Sequence, residues 1–168
     1  MHRTLVGDDS PTIRRMVIAS RREVCDGGFA EASGRGVGMA VVMSTLVVDH
    51  EDDGRELLVM ALQQHGAQVT ALARAADAPS FLECVEPHER PQAIVADVRG
   101  GADVGLSLVQ ALQRSPVVGG PIPAIAIISH DHPIERERVH TAGFHAHLSQ
   151  PLSPRALART VRSVVGLE

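Results

Sequence analysis

Ala93-Ile94-Val95-Ala96-Asp97 is the stretch that decides the fold. Four small or branched apolar residues run into one carboxylate, and Arg99-Gly100-Gly101 turns the chain just beyond it. A short apolar run without polar alternation, bounded by turn residues, reads as a strand buried on both faces of a parallel sheet. Open α/β sheets place their chemistry at the carboxyl ends of the strands, where this run delivers Asp97.

The same element recurs on the amino-terminal side. Thr45-Leu46-Val47-Val48-Asp49 is a strand ending in an acid, and His50-Glu51-Asp52-Asp53 extends the acidic cluster. A helix is expected from about Asp53 to His65 with Gly66 as its C-terminal cap, then a strand over Gln68 to Leu72. A helix around Ala76 to Val85, with Pro79 early, leads into the Asp97 strand. Beyond it the pattern predicts a helix from Gly105 to Gln113 and a fourth strand from Pro123 to Ile128. It continues with an Arg-rich helix from Ile134 to Ala142, a fifth strand from His145 to Leu148, and a last helix from Pro154 to Val165. Regular βα alternation with short connections predicts a doubly wound parallel sheet.

The first residues form a partial copy of this beginning. Thr4-Leu5-Val6-Gly7-Asp8 matches Thr45-Leu46-Val47-Val48-Asp49 at 41 positions' distance, each feeding a helix that contains an Arg. The copy stops after Phe29-Ala30-Glu31-Ala32, and Ser33-Gly34-Arg35-Gly36-Val37-Gly38 reads as linker. The expected organisation is a truncated β-α-β segment over 1–32, a glycine-rich linker over 33–43 and a complete domain over 44–168.

Composition narrows the function classes. Apolar residues make up 44% of the chain but aromatics only 2%, with no Trp or Tyr, so no aromatic platform for stacking bases is expected. A net charge of −4 gives no general pull toward nucleic acid. Apolar runs are too short to span a bilayer, and nothing after Met1-His2-Arg3-Thr4 resembles a signal peptide. Cys25 and Cys84 lack metal spacing and suit a reducing cytoplasm. His130, His132, His140 and His145 fall on different expected elements, which argues against a shared metal. The glycines at 34–38 lack the Gly-Lys-Ser/Thr ending of a phosphate-binding loop.

Residues 45–166 resemble the receiver domain of bacterial two-component response regulators. Val47-Val48-Asp49 looks like the acidic first strand, Ile94-Val95-Ala96-Asp97 like the phosphoacceptor strand, and Ile122-Pro123-Ala124-Ile125-Ala126 like the fourth strand. Ala142-Gly143-Phe144-His145-Ala146-His147-Leu148-Ser149-Gln150-Pro151 looks like the fifth strand with its Lys-Pro ending, and is the most specific piece. Residues 4–32 resemble the opening of a second receiver that lacks an acceptor strand.

The resemblance implies a flavodoxin-like fold, a five-stranded sheet of order 2-1-3-4-5 flanked by five helices. It implies Asp97 as acceptor of a phosphoryl group from a histidine kinase or phosphotransfer protein. Mg²⁺ would be held by Asp49, His50, Asp97 and the backbone carbonyl of Arg99. The switch hydroxyl falls on Ile128 without a gap or on Ser129 with a one-residue slip, which also turns side chains to the other face. His147 stands at the aromatic switch position, and a cis peptide is implied at Gln150–Pro151.

Several residues depart from the family pattern. His50 replaces an acid, and nitrogen suits Mg²⁺ poorly. Gln150 stands at the usual Lys position, which deletes a charge aimed at the phosphoryl group. Arg99 replaces a small or polar residue and is long enough to fill the metal position or contact the phosphate.

Two functions follow from these residues. One is a phosphorelay receiver, not a turnover enzyme. The chain ends at Glu168, just past the last helix, so its output is expected through contact with a downstream protein. The other is a degenerate pseudo-receiver that binds or dimerises independently of phosphate. The alike copies and flexible linker leave three arrangements open for residues 1–32: docking, mobility, or exchange into a homodimer.

Overall fold

The computed structural model describes residues 43–99, 107–110, 112, 121–130 and 132–167. The expected segment over 1–32 and nearly all of the linker lie outside them. Met43, read as linker, already belongs to the first strand, β1 (Met43–Val48).

The remaining elements are α1 (Asp52–Gln63), β2 (Ala67–Leu72), α2 (Ala78–Cys84), β3 (Ala93–Asp97), β4 (Ala124–Ile128), β5 (Ala146–Ser149) and two further helices. With α3, helical at residues 107–110 and 112, those helices are α4 (Pro133–Ala142) and α5 (Pro154–Val164). All strand pairs are parallel, and the sheet order is β2-β1-β3-β4-β5.

Local chemistry explains where the elements start and stop. Pro79 fits the first turn of α2, and the preceding residues Ala75–Asp77 form a separate 3₁₀ turn rather than extending the helix. Pro123 has no N–H to give the ladder, so β4 begins at Ala124, while the Pro123 carbonyl accepts from Ile94 N at 2.9 Å. Gly143, at φ 103°, is the left-handed cap of α4, whereas α1 is capped by Gln64 rather than by the expected Gly66, which takes φ 82° two residues on, in the turn to β2. Ser153 caps α5, its Oγ accepting from Ala156 N.

The core has two layers, one on each face of the sheet. Leu58, Val59 and Leu62 of α1 and Leu157 and Val161 of α5 cover Val47, Val95, Ile125 and Ile127. On the other face Ala78, Leu108, Val109, Val139 and Phe144 cover Leu46, Ile94, Ala96, Ala126 and Ile128. β3 is apolar from Ala93 to Ala96 because both of its faces are covered there, and it turns polar only at Asp97, at its carboxyl end. The chain passes from one face to the other between β2 and β3, so the crevice lies between the carboxyl ends of β1 and β3.

Candidate functional site

The crevice gathers the acids that follow β1 and end β3. Asp49 is 1% exposed. Its Oδ1 accepts from Glu51 N at 2.9 Å, whereas Oδ2 is buried without a hydrogen-bond partner. Burial is the main cause that raises the Asp49 pKa, to about 6; the Asp97 charge adds to the rise, while the Glu51 N–H, Arg99 and His50 oppose it.

Asp97 is paired with Arg99, two residues along. Arg99 Nε donates to both carboxylate oxygens, at 2.8 and 3.0 Å, and Nη2 donates to Oδ2 at 2.5 Å. The Arg99 backbone N–H adds a bond to Oδ1 at 2.9 Å. Under this cover the Asp97 side chain is only 1% exposed. The same guanidinium nitrogen lies 3.7 Å from Glu51 Oε2 and 4.0 Å from Asp49 Oδ2. The hydrogen bond to Asp97 is the chief cause that raises the Arg99 pKa, so the group stays charged.

An open cleft of about 540 Å³ lies over these groups, lined by His50, Glu51, Asp97, Arg99, Ser129, His130, Gln150 and Pro151. Pleat and register decide which neighbours reach it. Asp97 pairs with Ile127, and side chains two apart along a strand share a face. Ser129 therefore stands on the Asp97 side and lines the cleft, while Ile128 points the other way, 1% exposed in the opposite core layer. Of the two positions considered for a hydroxyl, Ser129 is the one at the cleft.

Known proteins share this fold. The family model for the response regulator receiver domain matches residues 45–162. The chain belongs to this family. An uncharacterised 14.6 kDa protein from the sodA1 3′ region of Leptolyngbya boryana is 34% identical over 120 residues, covering 71% of this chain and 88% of that protein. The structure of a response regulator receiver protein from Burkholderia phymatum is 25% identical with a TM-score of 0.63, covering 75% of this chain and 97% of that one. The chemotaxis response regulator CheY4 of Vibrio cholerae shares the fold at a TM-score of 0.63 and 21% identity, covering 73% and 98% of the two chains.

Of the remaining expected residues, Gln150 borders the cleft and His147 does not. Gln150 lines the cleft, its N–H donating to the Ile128 carbonyl at 3.2 Å, and Gln150–Pro151 is cis. His147 is half-buried on β5 opposite Ala126. Of the other histidines, His130 lines the cleft, His132 Nδ1 accepts from Ile134 N at the start of α4, and His145 Nδ1 accepts from Ala124 N. No helix among the described residues is long and apolar enough to cross a membrane.

The donor set fits a small cation, with one poor member. Asp49, His50 and Asp97 each offer an atom within 4.8 Å of the others, and the buried Asp49 Oδ2 accepts no hydrogen bond, its nearest cation being Arg99 Nη2 at 4.0 Å. His50 is the poor member, a nitrogen donor on a side chain 61% exposed.

Gly54 is a site residue that the pattern alone does not reveal. A Cβ built there would sit 2.6 Å from Asp49 Oδ2 and 3.6 Å from Arg99 Nη2. A glycine early in a helix costs about 1 kcal/mol against alanine, which is the sequence signal for a close approach. Gly54→Ala is expected to destabilise the protein by about 1–2 kcal/mol, because the clash outweighs the helix gain. Urea unfolding checks this; a more stable variant would show that the carboxylate yields without cost.

Proposed function

We propose that this receiver takes part in a cytoplasmic phosphorelay, with Asp97 as the phosphoryl acceptor. The observation that carries the reading is the position of Asp97. It ends the central strand at the switch point of the sheet, with a second buried acid, Asp49, and an open cleft beside it. A carboxylate oxygen of Asp97 attacks the phosphorus of a phosphohistidine on a histidine kinase or phosphotransfer protein. The phosphorus–nitrogen bond breaks, its electron pair returns to the imidazole, and an aspartyl phosphate remains. The protein is the acceptor of one group, not a turnover enzyme.

Ser129 and Gln150 line the cleft; the hydroxyl would donate to the transferred oxygens, and the amide N–H would do so in place of an ammonium. Asp49, Asp97 and the Arg99 carbonyl would hold Mg²⁺, with His50 a weak contributor. When bound, the cation would neutralise charge on the phosphoryl oxygens. Output would pass by protein contact, with His147 on β5 as a reporter of the site's state.

The test is to expose the full chain to acetyl phosphate with Mg²⁺ and weigh the intact protein. A gain of one phosphoryl group is expected, and Asp97→Asn abolishes it. A gain that survives Asp97→Asn would remove Asp97 from the chemistry. A second reading, a phosphate-independent interaction module, is favoured by the Arg99 pairing that covers Asp97. No mass gain from any donor would favour that reading.

A further inference from the structure

Both oxygens of Asp97 are engaged by one guanidinium, whose Nη2 also lies within 4.0 Å of Asp49 and Glu51. Three carboxylates thus converge on a single positive charge. The missing Cβ at Gly54 keeps open the gap in which Asp49 Oδ2 and Arg99 Nη2 face each other. The acids that would hold a divalent cation are therefore the acids that hold Arg99. Asp97 cannot offer an oxygen to a cation while that guanidinium is bound bidentately, and a cation arriving beside Arg99 meets a like charge.

We propose that Arg99 is a built-in competitor for the divalent cation at this site. It sets the affinity of the carboxylates for the cation, and cation binding drives its guanidinium off Asp97 and uncovers that carboxylate. The charge is placed by a side chain only two residues from Asp97, so release needs a rotamer change at Arg99 and no rearrangement of the sheet. Arg99 has room to move: its side chain is 19% exposed and borders the open cleft. The competition takes its biological sense from Asp97 as acceptor, but its measurement needs no phosphoryl transfer, so the two readings fail independently.

The experiment is a Mg²⁺ titration of the full chain followed by amide and guanidinium ¹H–¹⁵N resonances. Wild type is compared with Arg99→Gln, Arg99→Lys and Arg99→Gln/Asp97→Asn. Arg99→Gln is expected to bind Mg²⁺ at least about tenfold more tightly than wild type, because a nearby positive charge and its ion pair have both been removed. Arg99→Lys should fall between them, keeping the charge without the fork. In wild type the Arg99 Nε–H resonance should be shifted and slow to exchange with solvent, and should lose that character as Mg²⁺ saturates. Thermal unfolding of each variant verifies that it is folded.

Equal or weaker binding by Arg99→Gln overturns the proposal. So does tight binding that persists in the double variant, which would put the cation elsewhere. The proposal also fails if neither wild type nor Arg99→Gln binds Mg²⁺, or if the Nε–H signal ignores the cation.

Discussion

Arg55→Ala is expected to lower the unfolding free energy by about 3 kcal/mol, far more than a helix-surface substitution. Arg55 is 0% exposed although it lies in the first turns of α1. Its Nη1 donates to the Asp49 carbonyl at 2.7 Å, and its Nη2 to Asp52 Oδ1 at 2.5 Å. The side chain thus ties the end of β1 to the start of α1 and fixes the turn that carries Asp49. Truncation removes a buried hydrogen bond and leaves a space the size of the aliphatic stem. Asp52 is 71% exposed on its side chain, so its ion pair contributes little of the total. Arg55→Met keeps the bulk without the donors and should lose less than alanine; Arg55→Lys keeps a charge but not the two-pronged reach. Urea unfolding of the three variants separates packing from hydrogen bonding. A loss of under about 0.5 kcal/mol for Arg55→Ala would mean that the turn holds itself.

In the cation-free protein, stability should fall as pH rises from about 4 to about 6, and Asp49 is the cause. Its carboxyl has an ordinary value of 3.8 and is raised to about 6 in the fold, mainly by burial. Below pH 3.8 the group is protonated in both states and takes nothing from stability. Between the two values the unfolded chain releases the proton while the folded one retains it, so the balance moves toward unfolding. Above about pH 6 the folded state carries a buried anion with one oxygen that accepts no hydrogen bond, and the loss is complete. The shift corresponds to something on the order of 3 kcal/mol. Asp49→Asn should remove this slope and be more stable than wild type at neutral pH, while losing the cation site. Unfolding measured with a chelator across this range checks both. A wild-type profile parallel to that of Asp49→Asn would show that Asp49 ionises without hindrance.

Much of the fold was legible in the chain because it rests on local, periodic signals. Short apolar runs at 46–48, 93–96 and 124–128, bounded by turn residues, read as strands buried on both faces. Gly143 marks a helix end, and Gly66 the turn just after one, because their backbone takes a conformation that side chains resist. Element ends drifted by a residue or two where prolines or capping chemistry intervened, as at Pro79 and Pro123. The acids of the site were legible for the same reason: each stands at the end of a recognisable strand.

The sequence by itself thus determined the βα alternation, the parallel sheet, and the delivery of Asp49 and Asp97 to its carboxyl edge. The tertiary structure alone decided how those acids are occupied. Whether Ile128 or Ser129 meets the cleft depends on the register of β4 against β3, a property of two strands and not of one. Arg55 looks like any charged helix residue until its long side chain is seen to fold under α1 to the Asp49 carbonyl. Arg99 could have pointed to solvent, toward a phosphate or into the acids, since its rotamers differ little in local energy. Convergence of Asp49, Glu51 and Asp97 from two separate strand ends creates the negative field that draws it inward. That field exists only once β1 and β3 lie side by side.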